Sequence, residues 1–481
     1  MPAAQLKQEL GLLEAISIVI GRIIGSGIFR TPGPMMIAVA GLDPDIAWEL
    51  SAVPAGRISV GLFLLAWLVG ALATWLAALC YAELVAMLPR SGGPYEYLRQ
   101  AYPEWVSFIR GWAMFFVSET ASIVAVALVF SSYSAFAIES LSGWHPAVHH
   151  EAALALLIIW LLTGANFFGV FTSGILQNIF SMIKFLSLLA LVAASFGGAP
   201  GSLAHFQDHW WPAEWSWQTL IAFGAALRFA FFAYSGWEGA TYVAEEVKEP
   251  SRNLPLSLFG GIGAVMVLYF IVNLAYVWQL DPAVIIAAKK EVASRAMQNA
   301  VGPIGGLLLA AAVMLSTFGN VNTQILVKAR TWFAMARDGL FFQPLARLSH
   351  RGTPNNAMIA QGLWASVLLA FALSSEMFVQ GGQKVHAYDK LISFFSFTSA
   401  LFNVLTFAAV IVLRRKMPLL DRPFRVPFFA LTTGITLLLY ISFMIITLID
   451  KPLESIFGIA LTATGFAYYF FIVRPRVRVR Q

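Results

Sequence analysis

A single cysteine, Cys80, in 481 residues excludes a disulfide framework or a cysteine-based metal cluster within the chain. It lies inside an apolar run, where it reads as a small packing residue. Charge is scarce as well. Only 12% of residues are charged against 59% hydrophobic, and the mean hydropathy is +0.74, so the chain lacks the polar surface that a water-soluble multidomain enzyme of this size must show. No Ser/His/Asp set and no phosphate-cradling glycine loop points to catalysis, and no cofactor is expected. The net charge of +6 does not signal nucleic acid, because the basic residues sit in short blocks between apolar runs and form no stripe along one amphipathic face.

What the chain does have is apolar runs of about 20 residues, each enough to cross roughly 30 Å of hydrocarbon. Periodicity and breakers predict twelve helices: Leu12 to Val39, Gly61 to Leu88, Ser107 to Glu139, Glu151 to Val170, Ile175 to Phe196, Thr219 to Val243, Leu254 to Leu280, Pro303 to Phe333, Asn355 to Met377, Ala387 to Leu413, Phe424 to Leu448 and Glu454 to Val473. The first run has no small-residue cleavage site and reads as a retained span. An even number of spans puts both termini on one side, and most basic residues fall there, from Lys7, Arg90, Arg99 and Arg110 to the Arg474, Arg476, Arg478, Arg480 tail. Only Arg57, Lys289, Lys290, Arg295, Lys384, Lys390 and Lys451 fall opposite. The positive-inside rule makes the termini cytoplasmic, and the tail is also suited to anionic lipid.

Two runs are interrupted in the middle. The first reads GRIIGSGIFRTPG, where Gly25, Ser26 and Gly27 break an apolar helix at about half the bilayer depth; the sixth reads FFAYSGWEGA, where Ser235, Gly236 and Gly239 do the same. Breaks at corresponding places in two halves point to an all-α membrane protein with a 5+5 inverted repeat. The repeats occupy residues 1–200 and 201–416, with two further helices and the tail in 417–481. A helix that stops at the midplane leaves carbonyls on one half and amides on the other without partners, and a zwitterion supplies both needs. Backbone around Ile24, Gly25, Ser26, Gly27 and Ile28 suits a carboxylate, and carbonyls around Phe232, Ala233 and Ser235 suit an ammonium. A lone GSG is as readily explained by close helix packing. Two matched breaks, one followed by Glu238, favour a binding site for an α-amino acid.

The segments IVIGRIIGSGIF, CYAELVAMLPRSGGPYEYL, QNIFSMIKFLSLLAL, FFAYSGWEGATYVAEEVKEPSRNLPLSL, LSTFGNVNTQILVKARTWFAMARDGL and KLISFFSFTSALFNVL resemble the amino acid-polyamine-organocation superfamily, and within it the L-type amino acid transporter branch. The resemblance implies a LeuT-like fold, alternating access, and an amino acid held between the first and sixth helices. It implies sodium-independent uptake or exchange of neutral L-amino acids. A cationic amino acid or polyamine carrier of the same fold, and a sensor that binds without transporting, are the alternatives. Phe232 looks like the aromatic that lids the substrate, and Phe394 and Phe397 like residues lining its side-chain pocket, with ordinary packing the alternative for each. Animal L-type carriers are linked to a glycoprotein heavy chain through a cysteine between the third and fourth spans. Here that loop, SGWHPAVHH, has none, so no disulfide-linked heavy chain is expected, and a self-sufficient carrier in a bacterial-type inner membrane is.

Charges inside the runs need reasons, since each costs several kcal/mol unless paired or hydrated. In the resembled family a lysine placed like Lys184 stands where sodium-coupled relatives hold a cation, near hydroxyls matched here by Ser316 and Thr317. Lys184 is therefore a candidate replacement for sodium and for proton coupling, or else a member of a fixed ion pair. Glu238 is a candidate gating or amine-binding acid, or a carboxylate stabilising the inner half-helix. Glu119 departs from the family pattern, which more often has a neutral polar residue. It is expected to pair with Lys184 or with Arg228; left unpaired it would favour a cationic substrate. Arg30 is expected to snorkel into an outer vestibule. His145 and His149 have a spacing open to a metal, but the loop shows no acidic or cysteine partner and reads as solvated, with no metal. The segment 42–60, between the first two spans, is expected to form an outer loop or short helix.

Overall fold

A computed structural model describes residues 8, 10–42, 58–90, 92–168, 171–207, 210–212, 214–288, 291–377 and 387–475, without the side chains of 171–179, 375–377, 387 and 389–390. Lys7, most of the 42–60 segment including Arg57, His209, Lys289, Lys290, Lys384 and the Arg476 to Arg480 tail lie outside the described residues, as does the side chain of Lys390.

Twelve helices are long and apolar enough to cross a membrane: Leu12–Arg30, Val60–Met87, Glu104–Ser142, Val148–Asn166, Phe180–Gly197, Trp217–Glu246, Pro250–Gln279, Pro303–Arg337, Asn355–Ser374, Leu391–Lys416, Phe429–Asp450 and Pro452–Val473. We number these spans in chain order. Among the described residues there is no strand. One parallel bridge between Leu10 and Val247 pins the start of the first span to the end of the sixth, through Leu10 N–H to the Glu246 carbonyl (3.0 Å) and Lys248 N–H to the Leu10 carbonyl (2.8 Å).

Burial sorts the spans into centre and rim. The most apolar window of the third is 83% buried inside the protein, whereas those of the eleventh and twelfth are 28% buried, so the last two spans present most of their surface outward, where lipid is the solvent.

Several features differ from the sequence expectation. The eleventh span begins at Phe429 rather than Phe424, because Pro427 has no backbone N–H to give a helix interior and Phe428 adopts a left-handed φ of 45°. Glu83, buried near the inner end of the second span, holds that preceding loop: it receives Val426 N–H at 2.8 Å and a two-point contact from Arg414 at 2.7 and 2.5 Å. Short helices Pro94–Ala101, Pro282–Ala288 and Val292–Val301 form outside the twelve expected spans. The third span carries a π-helical turn, Met114–Ser118, whose wider ring leaves carbonyls to be taken by side chains. Thr120 Oγ1 donates to the Phe115 carbonyl (2.7 Å) and Trp364 Nε1 to the Phe116 carbonyl (2.8 Å).

Candidate functional site

The first span is helical over Leu12–Ile23, leaves helical geometry at Ile24 (ψ 87°), and resumes as Gly27–Arg30 and Pro32–Val39. Carbonyls on both sides of the interruption are already taken. Lys184 Nζ donates to the Gly21 carbonyl (3.0 Å), Tyr269 to Ile23 (3.0 Å), Tyr276 to Ile28 (3.2 Å) and Tyr133 to Phe29 (2.9 Å). With those acceptors satisfied, the unwound stretch between Ile24 and Ile28 keeps donors to offer. The sixth span is helical over Trp217–Ala233, breaks at Tyr234 to Gly236, and continues as a tighter 3-10 run, Trp237–Glu246. Ser235 turns back onto the Phe232 carbonyl with both its N–H (3.0 Å) and its hydroxyl (2.7 Å). Phe232's carbonyl is thus doubly occupied, leaving those of Ala233 and Ser235 as the freer acceptors.

The two interruptions touch. A Cβ on Gly27 would stand 2.4 Å from Ala233 Cα, and one on Gly236 would stand 2.9 Å from the Arg22 carbonyl. Both are closer than real Cβ contacts come, so only glycine lets the backbones approach. Gly236 also needs its freedom for a φ of 94°.

A cavity of about 40 Å³ opens at this junction. Arg22, Gly25, Ser26 and Gly27 of the first span line it with Phe232, Ala233, Ser235 and Glu238 of the sixth; Glu119, Ser122 and Val126 come from the third, Asn320, Gln324 and Lys328 from the eighth, and Phe395 from the tenth. A second cavity of about 30 Å³ lies behind Phe232 and Phe395, polar along the tenth span through Ser396, Ser399 and Asn403. Glu238 and Ser235 border both.

The intramembrane charges pair differently from the expectation. Glu119 meets neither Lys184 nor Arg228: its Oε2 lies 2.6 Å from Lys328 Nζ, and its own carbonyl receives a second bond from that ammonium (3.1 Å). Arg228 instead reaches Asp450 of the eleventh span at 2.9 Å. Sequence distance hid both partners, which lie 209 and 222 residues away. Lys184 is fully buried and bonds the first span rather than an acid. Thr317 donates within its own helix to Val313 and Met314 (2.8 and 3.1 Å), and the buried Ser316 hydroxyl has no partner among the described residues.

Arg30 does not snorkel into a vestibule. It is 3% exposed, donates to Ser132 Oγ (3.2 Å) and stacks 3.9 Å from the centre of the Tyr388 ring, a placement that cation–π attraction and a hydroxyl acceptor make tolerable. Phe394 points away from the cavity onto Phe371 and Phe457 (6.2 and 5.4 Å between ring centres), and Phe397 borders a separate apolar crevice beside the twelfth span. Adjacent helical residues point about 100° apart, and Phe395 is the one that turns inward, 5.4 Å edge-on to Phe232. His145 does have an acidic neighbour, Glu139 at 3.2 Å, but among the described residues no group of three metal-binding side chains forms.

The residues that sequence reasoning missed are Arg22, Ser122, Asn320, Gln324, Lys328 and Phe395. A signal for three of them was present: Asn320, Gln324 and Lys328 recur every fourth position in an apolar run, which is one face of a helix.

The comparisons with known proteins come to the same part of sequence space. A family model described as "Amino acid permease" matches residues 10–473. "Large neutral amino acids transporter small subunit 2" of Mus musculus is 31% identical over 475 residues, covering 97% of this chain and 81% of that protein. The Homo sapiens protein of the same name is 30% identical, covering 97% and 80%. "b(0,+)-type amino acid transporter 1" of Mus musculus is 27% identical, covering 98% and 89%.

Proposed function

The chain belongs to the amino acid permease family, and from this premise we propose that it is a secondary carrier of neutral L-amino acids, working by alternating access, without sodium, in uptake or exchange. It is a transporter and not an enzyme. The observation that carries the reading is the contact of the two interruptions at Gly27 and Ala233 beside a cavity lined by both. Donors of the Ile24–Ile28 stretch take the substrate carboxylate, and the carbonyls of Ala233 and Ser235, with Glu238 nearby, take the ammonium. Phe232 and Phe395 close over the side chain. In this reading the spans form inverted repeats over 1–200 and 201–416, with residues 417–481 appended.

Neutral substrates are favoured because Glu119 is compensated. Had its carboxylate faced the cavity alone, a cation would have been needed to balance it; Lys328 supplies that charge from the protein.

The setting belongs to the same proposal: a bacterial-type plasma membrane, both termini cytoplasmic, and no covalently attached heavy chain. The basic blocks support the orientation. Cys80, the sole cysteine, is buried in the second span beyond reach of another chain's thiol, which supports a carrier free of disulfide-linked partners. The relatives named above are mammalian, and two of them are named small subunits, so they lend this part no weight.

Purified protein in liposomes tests the reading. Preloading with unlabelled alanine or leucine is expected to accelerate uptake of labelled leucine. Binding without counterflow would make the protein a sensor, and stronger competition by arginine or putrescine than by alanine would make it a cationic carrier.

A further inference from the structure

The third and eighth spans meet in a chain of polar groups that ends at the first-span interruption. Lys328 Nζ has three N–H donors and no acceptor capacity. All three have partners: the Glu119 carbonyl (3.1 Å), Glu119 Oε2 (2.6 Å) and Gln324 Oε1 (2.5 Å). Which end of an amide is oxygen is normally ambiguous, but a donor-only ammonium removes the ambiguity, since only the Gln324 oxygen can face it. Gln324 Nε2 must then point onward, and it donates to Asn320 Oδ1 at 2.7 Å. With its oxygen so occupied, Asn320 has no choice but to turn its NH2 the other way.

That NH2 faces the interruption. A Cβ on Gly25 would lie 2.6 Å from Asn320 Nδ2, so the amide sits against the unwound backbone where Gly25 lines the cavity. Asn320 is 6% exposed, and its NH2 donates to no group among the described residues. Its oxygen being engaged by Gln324, the amide presents its N–H donors to the cavity that Asn320 lines. A ligand arriving there with acceptor oxygens satisfies it; an ammonium, itself a donor, does not.

We propose that Asn320 is a further substrate-binding residue, its NH2 donating to the carboxylate of the bound amino acid, and that Lys328 is a positioning residue acting on it through Gln324. This rests on the carrier reading, which supplies the ligand, and adds to it a side-chain donor on the eighth span. The ammonium at Lys328 also polarises both amides in series, strengthening the terminal donor. The carboxylate is common to every α-amino acid, so Asn320 sets affinity for all of them alike and takes no part in choosing among side chains.

The test uses full-length protein in liposomes, with half-saturation measured for alanine, serine, leucine, glutamine and phenylalanine. Asn320→Ala and the near-isosteric Asn320→Asp are expected to weaken every substrate by about tenfold or more, by a similar factor for each, as loss of a hydrogen bond to a charged group does. Asn320→Asp keeps the volume, so it reports even where the alanine variant is unstable. Gln324→Glu still accepts from Lys328 but no longer donates to Asn320; it is expected to weaken binding part of the way, and Asn320→Ala/Gln324→Glu to be no worse than Asn320→Ala alone. A loss confined to serine and glutamine would overturn the assignment and make Asn320 a side-chain selector. Unchanged affinities would overturn it outright, and an additive double variant would remove the orienting role of Lys328. Wild-type protein that binds none of the five overturns this inference and the carrier reading together.

Discussion

At the scale of single residues the site depends on atoms that are absent. Gly27→Ala would drive a methyl to 2.4 Å from Ala233 Cα, a backbone clash that no rotamer change relieves, so the two interruptions must separate. Uptake by this variant is expected to fall below a tenth of wild type while the protein still purifies as one species; retained uptake would show that the contact is not needed for transport. The Glu119–Lys328 pair makes a second prediction. Removing one partner of a buried pair strands the other charge and costs about 3–5 kcal/mol, whereas replacing both by apolar groups is often nearly neutral. Glu119→Leu and Lys328→Met are each expected to lower the melting temperature in detergent more than the double variant does, and a double variant less stable than both singles would deny the pairing. Which residues carry the site was only partly legible. The glycines were readable because no other residue type permits unwound backbone to touch. Glu119 was noticed as an anomaly, yet its partner was not, since pairing across 209 residues of chain is a property of packing. Phe394 was chosen over Phe395 for the same reason: neighbouring phenylalanines are equivalent until the helix has a rotational setting.

Among elements, the third span differs most from a uniform rod. Its π turn, Met114–Ser118, immediately precedes Glu119, and the extra residue in that turn rotates everything beyond it, which places Glu119 and Ser122 on the cavity wall. Apolar content shows a helix but not its local winding, so the sequence predicted the span and could not show the bulge. The turn is maintained by bonds to its displaced carbonyls, one of them from the ninth span: Trp364 Nε1 donates to the Phe116 carbonyl at 2.8 Å. Trp364→Phe keeps a large aromatic there, which still faces Phe116 edge-on, and withdraws the donor. An unmet buried carbonyl costs about 1–3 kcal/mol. If the turn is needed to set Glu119, substrate affinity as well as thermal stability falls in Trp364→Phe; a change in stability alone would mean that the bulge is held by Thr120 and its own packing. In the first and sixth spans, by contrast, the residues that leave helical geometry, Ile24 and Tyr234 to Gly236, lie in or beside the glycine–serine stretches, because glycine next to serine at midspan weakens a helix where an uninterrupted span would carry apolar side chains.

For the whole molecule, the twelve-span plan followed from apolar length, and the ties between distant spans did not. Arg228 to Asp450 joins the sixth span to the eleventh, Glu83 joins the second to the tenth through Arg414, and the Leu10–Val247 bridge joins the first to the sixth. Lys184 joins the fifth to the first by its bond to the Gly21 carbonyl, and this link bears on the energy source of transport. It places the amine of Lys184, wholly buried, beside the broken span. With that amine protonated, a sodium ion within roughly 5 Å of it would be opposed by about 3 kcal/mol at an effective dielectric of 20, before any loss of its hydration. Replacing sodium chloride by choline chloride on both sides of the liposome is therefore expected to leave the initial rate of leucine uptake unchanged within about twofold. Lys184→Met removes the charge and withdraws a donor from the Gly21 carbonyl, and it is expected to abolish uptake in both salts. A tenfold fall in choline for the wild-type protein would show that the lysine does not replace the cation, and the sodium-independent carrier would have to be given up even with the fold intact.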